Sequence, residues 1–323
     1  MHKGPVTVMA SEYGTRLDNQ GVSRSATVDG VSDFVNLYDY DAEGNRTRRT
    51  DIAIGEVTEY HWDHRNRLVQ VRTRTSDQGP VTSDISYAYD YLNRWIARSH
   101  DPDGDGPLGF TNTYFVYDGT PPNGSLLDRA AVTMENIGQI VLHFEADGQG
   151  DPQLAHRYLW GPAVDQILAD EQVTDPTAPG NIVWPLTDHL NTVRDLAIYD
   201  ADTDTTTIVN HLIYDAYGRI TSQSNPDQTT LFAFTARPFD KAIGLQNNLN
   251  RWYDPEVGRW ISEDPIGFEA GDANLYRYVD NMPTNRIDPI GLFAGDEWQG
   301  INQTSRPAAV KPLLDITTRT SSI

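Results

Sequence analysis

The chain contains no cysteine among its 323 residues, and its basic residues are few. The lack of cysteine excludes a disulfide framework and a thiolate metal site, and it gives no indication of an oxidising compartment. The 25 Lys and Arg stand against 46 Asp and Glu, giving a formal charge of −21. Long-range repulsion from such an acidic surface disfavours nonspecific binding to nucleic acid or anionic lipid. We therefore expect no nucleic-acid partner.

Long apolar runs are also missing. No segment approaches the roughly 20 apolar residues of a membrane helix, so no membrane span is expected. The short run at 6–10 is interrupted by Glu12 and Arg16 and does not resemble a signal peptide. The localisation is therefore undetermined, and secretion or surface display by a route that this chain does not encode is left open.

Helical periodicity is scarce, whereas aromatic and turn residues are frequent. The chain has 16 Tyr, nine Phe and seven Trp, together with 25 Gly and 19 Pro. Aromatic residues favour strands, and Gly and Pro mark turns. These features predict an all-β fold, and the length allows one large domain or two smaller ones.

A short phrase recurs along the chain: an aromatic residue, Asp, two variable residues, and then Gly or Asn, usually followed by Arg. The copies are Tyr40–Arg46, Trp62–Leu68, Tyr89–Trp95 and Tyr214–Ile220, with a weaker copy at Thr187–Val193. In each copy the aromatic residue can end a strand, Asp can begin a turn, and Gly or Asn can adopt a positive φ. The phrase predicts β-hairpins, which need to stack side by side to gain a buried face.

A second phrase occurs twice near the end. Asp-Pro-Ile-Gly followed by a large apolar residue stands at 264–268 and again at 288–292. Two carboxylates held close together cannot both ionise readily, so one can act as a general acid and the other as a base. They would then titrate as a pair. The alternative is structural: each Asp-Pro begins a turn in which the carboxylate accepts backbone hydrogen bonds.

The segment 252–292 resembles the core signature of Rhs and YD-repeat proteins, and the weaker resemblance extends from about Tyr38 to Leu292. It implies YD-repeat hairpins in a curved, spiralling sheet that forms a shell or cocoon closed by the Rhs core segment. It also implies that Asp264 and Asp288 form an aspartyl-protease-like pair that cuts between Leu292 and Phe293. With so few repeats, we expect a partial shell or an end cap.

The resemblance suggests supporting residues for the pair. Gly267 and Gly291 would let the backbone turn sharply beside each carboxylate. Family members often carry Arg immediately before the first Asp, where this chain has Glu263. A like charge there is expected to raise the pKa of Asp264. Arg259, Arg277 or Arg286 could supply a substitute positive charge in space.

Other chemistry finds little support in the sequence. The histidines lack metal-ligand spacing, and we find no nucleophile elbow, phosphate loop or dinucleotide fingerprint, so neither a metal nor a cofactor is expected. Asp101, Asp103 and Asp105 begin like a calcium loop. Asn112 stands where such a loop needs a bidentate Glu, so a solvated acidic turn is the prediction.

These observations predict four regions: lead-in strands at 1–37, a degenerate YD-repeat shell at 38–235, an Rhs core segment at 236–292 and a variable, disordered tail at 293–323. The expected function is a shell fragment of a polymorphic-toxin or contact-dependent competition system, at most an intramolecular aspartyl-type autoprotease. Its expected partner is a larger shell-forming chain or its own C-terminal tail. The alternatives are a noncatalytic surface or carbohydrate-binding module and the decayed end of a larger gene.

Overall fold

The computed structural model describes residues 8–15, 21–28, 31–104, 106–119 and 138–292, with side chains from Asn36 onward. Several predictions fall outside these ranges. They concern Asp105 of the acidic loop, Phe293 of the expected cleavage site, the tail 293–323, and part of the lead-in region.

Twenty strands make up nearly all of the regular structure. The first ten are β1 (Val8–Thr15), β2 (Gly21–Val28), β3 (Val31–Tyr40), β4 (Arg46–Asp51), β5 (Val57–Trp62), β6 (Leu68–Arg74), β7 (Val81–Tyr89), β8 (Trp95–Asp101), β9 (Thr111–Tyr117) and β10 (Ile140–Asp147). The others are β11 (Gln153–Trp160), β12 (Ile167–Gln172), β13 (Asn181–Thr187), β14 (Val193–Asp200), β15 (Thr205–Tyr214), β16 (Ile220–Gln223), β17 (Phe239–Asp240), β18 (Leu245–Asn248), β19 (Arg251–Asp254) and β20 (Arg259–Trp260).

Strands β1 to β16 form one antiparallel sheet in which each strand pairs with its neighbours in sequence. The sheet does not close into a barrel, since β1 and β16 are its two edges. Strands β17 to β20 form a second, four-stranded sheet. Among the described residues the helical elements are 3₁₀ turns at Phe234–Ala236, Gly267–Ala270 and Val279–Asn281. The all-β prediction is confirmed.

All five copies of the aromatic-Asp phrase form hairpin turns, as predicted. In each turn the aspartate Oδ1 accepts hydrogen bonds from the backbone N–H groups two and four residues further on. The residue three places after the aspartate has a positive φ: 78° at Gly44, 56° at Asn66, 65° at Asn93, 61° at Asn191 and 87° at Gly218. Only glycine and asparagine occupy this position, because they tolerate the left-handed region.

The aromatic residue of the phrase also ties one hairpin to the preceding one. Trp62, Tyr89, Tyr117 and Trp160 end β5, β7, β9 and β11, and each donates a hydrogen bond to the first carbonyl of an earlier return strand. The donor–acceptor distances are 2.7 to 3.0 Å. Each of these partly buried aromatic side chains thus packs its ring on the core while its polar group keeps a partner. Two of these four, Tyr117 and Trp160, lie outside the repeats identified from the sequence.

One face of the large sheet packs against the C-terminal segment. Trp252 of β19 lies 5.1 Å from Tyr87 and 5.5 Å from Trp95, measured between ring centroids. The same apolar cluster includes Leu68, Ile85 and Ile261, each with no exposed surface. The second sheet is therefore held inside the fold by aromatic packing, and this fixes the position of the residues that follow it.

Buried ion pairs add specific links between the two sheets. Arg46 Nη1 lies 2.6 Å from Asp254 Oδ2, and Arg98 Nε lies 2.7 Å from Asp240 Oδ2. Asp240 also accepts a 2.8 Å hydrogen bond from Tyr87. Removing one member of such a pair leaves an uncompensated buried charge. These pairs therefore fix the orientation of the C-terminal segment on the sheet.

No helix within the described part of the chain is long and apolar enough to cross a membrane.

Candidate functional site

Asp264 lies in the loop after β20 and is almost fully buried, with 8% of its surface exposed. Its Oδ1 accepts a 3.0 Å hydrogen bond from the backbone N–H of Ile266. Its own N–H donates to the carbonyl of Leu275 over 3.1 Å. The first Asp-Pro-Ile-Gly phrase is thus a turn that holds its carboxylate in the interior.

Asp288 is still more deeply buried, with 2% of its surface exposed. Its Oδ1 accepts hydrogen bonds from the N–H of Gly291 at 2.9 Å and of Leu292 at 3.2 Å. The second carboxylate therefore contacts the backbone just before the expected cleavage bond. Hydrogen bonds donated to a carboxylate are favourable to its ionised form.

Arg251, the first residue of β19, brings the two aspartates together. One guanidinium nitrogen, Nη2, lies 2.9 Å from Asp264 Oδ2 and 3.3 Å from Asp288 Oδ2. The Nε of the same side chain donates a 2.6 Å hydrogen bond to the Gly291 carbonyl. The guanidinium stacks over the Trp260 ring at 4.2 Å from its centroid. A single buried cation therefore contacts both carboxylates and the segment that follows the second one.

Burial dominates the electrostatics of Asp264 and Arg251. Burial raises the pKa of Asp264 above its usual value, while Arg251 and the Ile266 N–H act in the opposite direction. Burial also lowers the pKa of Arg251, an effect that both aspartates oppose. Asp264 thus holds a proton more readily than an exposed carboxyl, as suits a general acid.

The source of the raised pKa differs from the expectation based on Glu263. Burial is its main cause, and the like charge that contributes is Asp272. Glu263 Oε1 accepts a 3.3 Å hydrogen bond from the Tyr276 hydroxyl. The direction of the shift agrees with the sequence-based expectation, whereas the physical cause is different.

The arginines proposed from the sequence make other contacts. Arg259 Nη2 reaches Asn274 Oδ1 at 3.4 Å, and Arg277 forms two 2.7 Å hydrogen bonds with Asp272. Arg286 pairs with Asp280 at 2.6 Å. The guanidinium that contacts both site aspartates is that of Arg251, which the sequence reasoning missed. Arg251 directly precedes the Trp-Tyr-Asp that opens the core signature, but this spacing alone does not relate it to the aspartates.

The two glycines beside the aspartates both have positive φ, 57° at Gly267 and 68° at Gly291. Their surroundings differ. A Cβ on Gly267 would meet open space, whereas a Cβ on Gly291 would lie 2.6 Å from the Asn248 carbonyl oxygen. Gly291 is therefore required both for its backbone conformation and for this close approach.

The segment from Asp288 to Leu292 is held by side chains from the end of β18 and from the loop that joins β18 to β19. Asn248 Nδ2 donates a 2.6 Å hydrogen bond to the Asp288 carbonyl, and Asn250 Nδ2 donates one of 2.9 Å to the Ile290 carbonyl. Ile290 also packs against Leu249 in a small apolar cluster that Leu292 contacts. The chain therefore arrives at Leu292 in a fixed conformation.

In the described ranges, no group of three or more His, Asp or Glu side chains is arranged to hold a metal ion. Asp103 of the acidic loop accepts a 3.0 Å hydrogen bond from the Leu108 N–H, as in a local turn.

An open antiparallel sheet of aromatic-Asp hairpins, packed on a C-terminal segment with a buried aspartate pair, defines a YD-repeat shell protein. Comparison with protein families agrees: residues 177–284 match the Teneurin YD-shell family, and residues 40–78 match the RHS Repeat family. The chain belongs to the Rhs/YD-repeat proteins.

Individual relatives include proteins named as toxins. The chain is 29% identical over 272 residues to toxin protein Tse5 of Pseudomonas aeruginosa, covering 80% of this chain and 19% of that protein. It is 40% identical over 282 residues to double-stranded DNA deaminase toxin A of Burkholderia cenocepacia, covering 84% of this chain and 18% of the relative. YlbH of Escherichia coli K12 is 41% identical over 102 residues, 31% of this chain and 41% of that protein. The chain thus spans less than half the length of each of these relatives.

Proposed function

We propose that this chain is part of the β-shell of a polymorphic-toxin or contact-dependent competition system, and that it cuts itself between Leu292 and Phe293. The observation that carries the proposal is the shared contact of Asp264 and Asp288 with one nitrogen of Arg251. Two turns that merely contained aspartates would not require both carboxylates to be buried against the same cation. The proposed core segment is 236–292, following the shell at 38–235 and the lead-in at 1–37.

The proposed chemistry is hydrolysis by an acid and a base. In this scheme Asp264 acts in its protonated form, which burial favours, and Asp288 acts as the carboxylate. Asp288 removes a proton from a water molecule as the water oxygen attacks the Leu292 carbonyl carbon. Asp264 donates its proton toward the carbonyl oxygen. The C–N bond then breaks, the Phe293 nitrogen leaves as an amine with a proton from the site, and Leu292 becomes a carboxylate.

Positioning supports the same proposal. The bond to be cut belongs to the same chain as the acid and the base, so the reaction is intramolecular and benefits from a high effective concentration. Two hydrogen bonds hold the backbone just before the scissile bond. Arg251 Nε donates to the Gly291 carbonyl, and the Leu292 N–H donates to Asp288.

Substitution of either aspartate tests these roles. Asp264→Asn and Asp288→Asn should each slow cleavage by at least about 100-fold, because an amide can neither donate the acid proton nor accept one as a base. Asp280→Asn is the matched control, since Asp280 pairs at the surface with Arg286 and should leave the rate unchanged. Intact-mass spectrometry of freshly folded protein measures the cleaved fraction. Cleavage that persisted in both variants would remove these aspartates from the mechanism.

The rate of cleavage should also fall when the pH rises through the pKa of Asp264. A carboxyl whose pKa is raised keeps its proton to higher pH than an exposed one, and it loses the proton as the pH rises through the raised pKa. If Asp264 is the acid, cleavage should fall as the pH rises through that value. A rate that increased across this range would assign the acid to another group.

The open sheet supports the proposed partner. Its edge strands β1 and β16 have no neighbour on their outer sides within the described residues, and unpaired edges readily accept further strands. Together with the fraction of its relatives that this chain spans, this favours assembly with a larger shell-forming chain. The proposed cargo of the shell is the tail that cleavage would release.

A further inference from the structure

The third copy of the aromatic-Asp turn, between β7 and β8, has an asparagine where glycine would satisfy the backbone. Gly44 and Gly218 occupy the equivalent position in two other turns, and their φ is positive, as it is at Asn93. The Asn93 side chain therefore has a use beyond the turn. Its Nδ2 donates a 2.8 Å hydrogen bond to Oδ1 of Asn250, which lies in the loop before β19.

Asn250 transmits this contact to the segment before the cleavage bond. Its Nδ2 donates to the Ile290 carbonyl at 2.9 Å, and its backbone N–H reaches the same carbonyl at 3.3 Å. A carbonyl can only accept, so Asn250 must present its NH₂ group to Ile290 and its oxygen to Asn93. Asn93 must in turn present its own NH₂ group. The direction of every bond in the chain is thereby fixed.

We propose that Asn93 is a positioning residue for self-cleavage. Through Asn250 it connects the segment that ends at Leu292 to the β7–β8 hairpin of the large sheet. The proposal rests on the proposed function and concerns its regulation. Ile290 lies two residues before Leu292, and its carbonyl is held by a side chain whose orientation depends on a hairpin of the large sheet. Cleavage is then faster once the β7–β8 hairpin has docked, so that release of the tail is favoured after the large sheet has folded.

A second contact from the same hairpin supports the tie. The Trp252 Nε1–H donates a 3.0 Å hydrogen bond to the Tyr89 hydroxyl, and Tyr89 is the aromatic residue of the third turn. Arg251 and Trp252 are consecutive, so this hairpin is joined to the site on both sides of Arg251, at Asn250 and at Trp252. Displacement of the hairpin would move the cation as well as the Ile290 carbonyl.

The turn itself supplies the test. Asn93→Gly preserves the backbone conformation, since glycine adopts a positive φ freely, and it removes only the amide. Asn93→Asp keeps the size of the side chain but cannot donate to Asn250. Asn66→Gly is the control, because Asn66 has the same place in the turn between β5 and β6. Its side chain accepts a hydrogen bond from Asn45, which lies outside the C-terminal segment.

The first measurement is the first-order rate of cleavage in the full chain, followed by intact mass. Asn93→Gly should slow it about three- to tenfold, the effect of one hydrogen bond. Asn93→Asp should slow cleavage further, because the new carboxylate would face Asn250 Oδ1 and both groups can only accept hydrogen bonds. Asn66→Gly should stay within about twofold of the unsubstituted chain. If the tie acts as a unit, adding Asn93→Gly to Asn250→Ala should cause no further loss. The pH profile should keep its shape in Asn93→Gly, because the acid and the base are unchanged.

The second measurement is hydrogen–deuterium exchange of the Gly291 and Leu292 amides, which donate to Asp288. Faster exchange in Asn93→Gly, with no change in Asn66→Gly, is expected. An Asn93→Gly chain that cleaves at the unsubstituted rate would overturn the inference while leaving the proposed function standing. If the unsubstituted chain never cleaves, the proposed function is wrong. Faster exchange in Asn93→Gly would then still support the contact between Asn93 and Asn250 as a restraint on this segment. Unchanged exchange in Asn93→Gly would overturn that restraint as well.

Discussion

Replacing Arg251 by Met should lower the free energy of unfolding by about 3 to 5 kcal/mol, because it leaves two buried carboxylates without their cation. The side chain of Arg251 is 3% exposed, and those of Asp264 and Asp288 are 6% and 2% exposed. Water can therefore do little to replace the lost charge. The substitution also removes the hydrogen bond to the Gly291 carbonyl. Chemical denaturation of Arg251→Met against the unsubstituted chain measures the effect.

Arg286→Met provides the matched comparison. Arg286 pairs with Asp280 at 2.6 Å, but both side chains are partly exposed, so the expected loss is about 0 to 1 kcal/mol. Equal losses in the two variants would mean that the Arg251 cluster is no more important to stability than a surface ion pair.

The loss of unfolding free energy in Arg251→Met should also depend on pH. Arg251 lowers the pKa of Asp264, so its removal raises that pKa further. A carboxyl whose folded pKa lies above its unfolded value stabilises the fold below the unfolded pKa, and this contribution is lost as the pH rises through the folded pKa. The variant should therefore recover part of its stability in acid. A deficit that grew in acid would contradict the assignment of the cation to this carboxyl.

The two glycines of the duplicated phrase should respond very differently to alanine. Gly291→Ala forces a residue with a side chain into a positive φ and places its Cβ 2.6 Å from the Asn248 carbonyl oxygen. We expect a loss of about 2 to 4 kcal/mol, combining left-handed strain with overpacking against the backbone. The cleavage rate should fall as well, since the Gly291 N–H and carbonyl contact Asp288 and Arg251.

Gly267→Ala is the control for this substitution within the same sequence phrase. Its φ of 57° imposes a similar backbone strain, but the added Cβ would meet open space. The expected loss is about 1 to 2 kcal/mol. Thermal or chemical denaturation of both variants checks the difference. If Gly267→Ala were the more damaging, the close approach of the second phrase to Asn248 would be wrong.

The sequence was sufficient to predict the hairpin turns because each turn is encoded locally. Asp, followed three residues later by Gly or Asn, specifies both the hydrogen bonds and the positive φ within five residues, so tertiary contacts are not needed to recognise it. The strand ends at Tyr117 and Trp160 were missed for the same reason. Tyr117 is followed by Asp118 and Gly119 with no spacing between them, and Trp160 is followed by Gly161.

Strand faces were less predictable. Simple alternation along β6 would place Leu68 and Gln70 on one face and Val69 and Val71 on the other. Instead Leu68 and Val71 are both buried. The register shifts between His61 and Trp62 of the partner strand, and such a bulge moves the following residues to the opposite face. A bulge depends on both strands and on the aromatic residue at the turn, which one strand's pattern does not reveal.

The candidate site was predicted in part. The duplicated phrase singled out Asp264 and Asp288 as candidates, since its two copies share the residues Asp-Pro-Ile-Gly. Arg251 could not be selected in the same way, because its contacts with the aspartates depend on how β19 pairs with β18 and β20. Asn93 is separated from Asn250 by 157 residues. Contacts of this kind arise from docking the C-terminal segment on the sheet, which sequence spacing does not specify.

Intact-mass spectrometry of the purified, unsubstituted chain tests the central claim most directly. The account predicts two species, a large fragment that ends at Leu292 and a small one that begins at Phe293, whose masses sum to that of the full chain plus one water. A chain that stayed full length after days at mildly acidic and neutral pH would contradict self-cleavage. Fragments with other ends would contradict the assignment of the scissile bond.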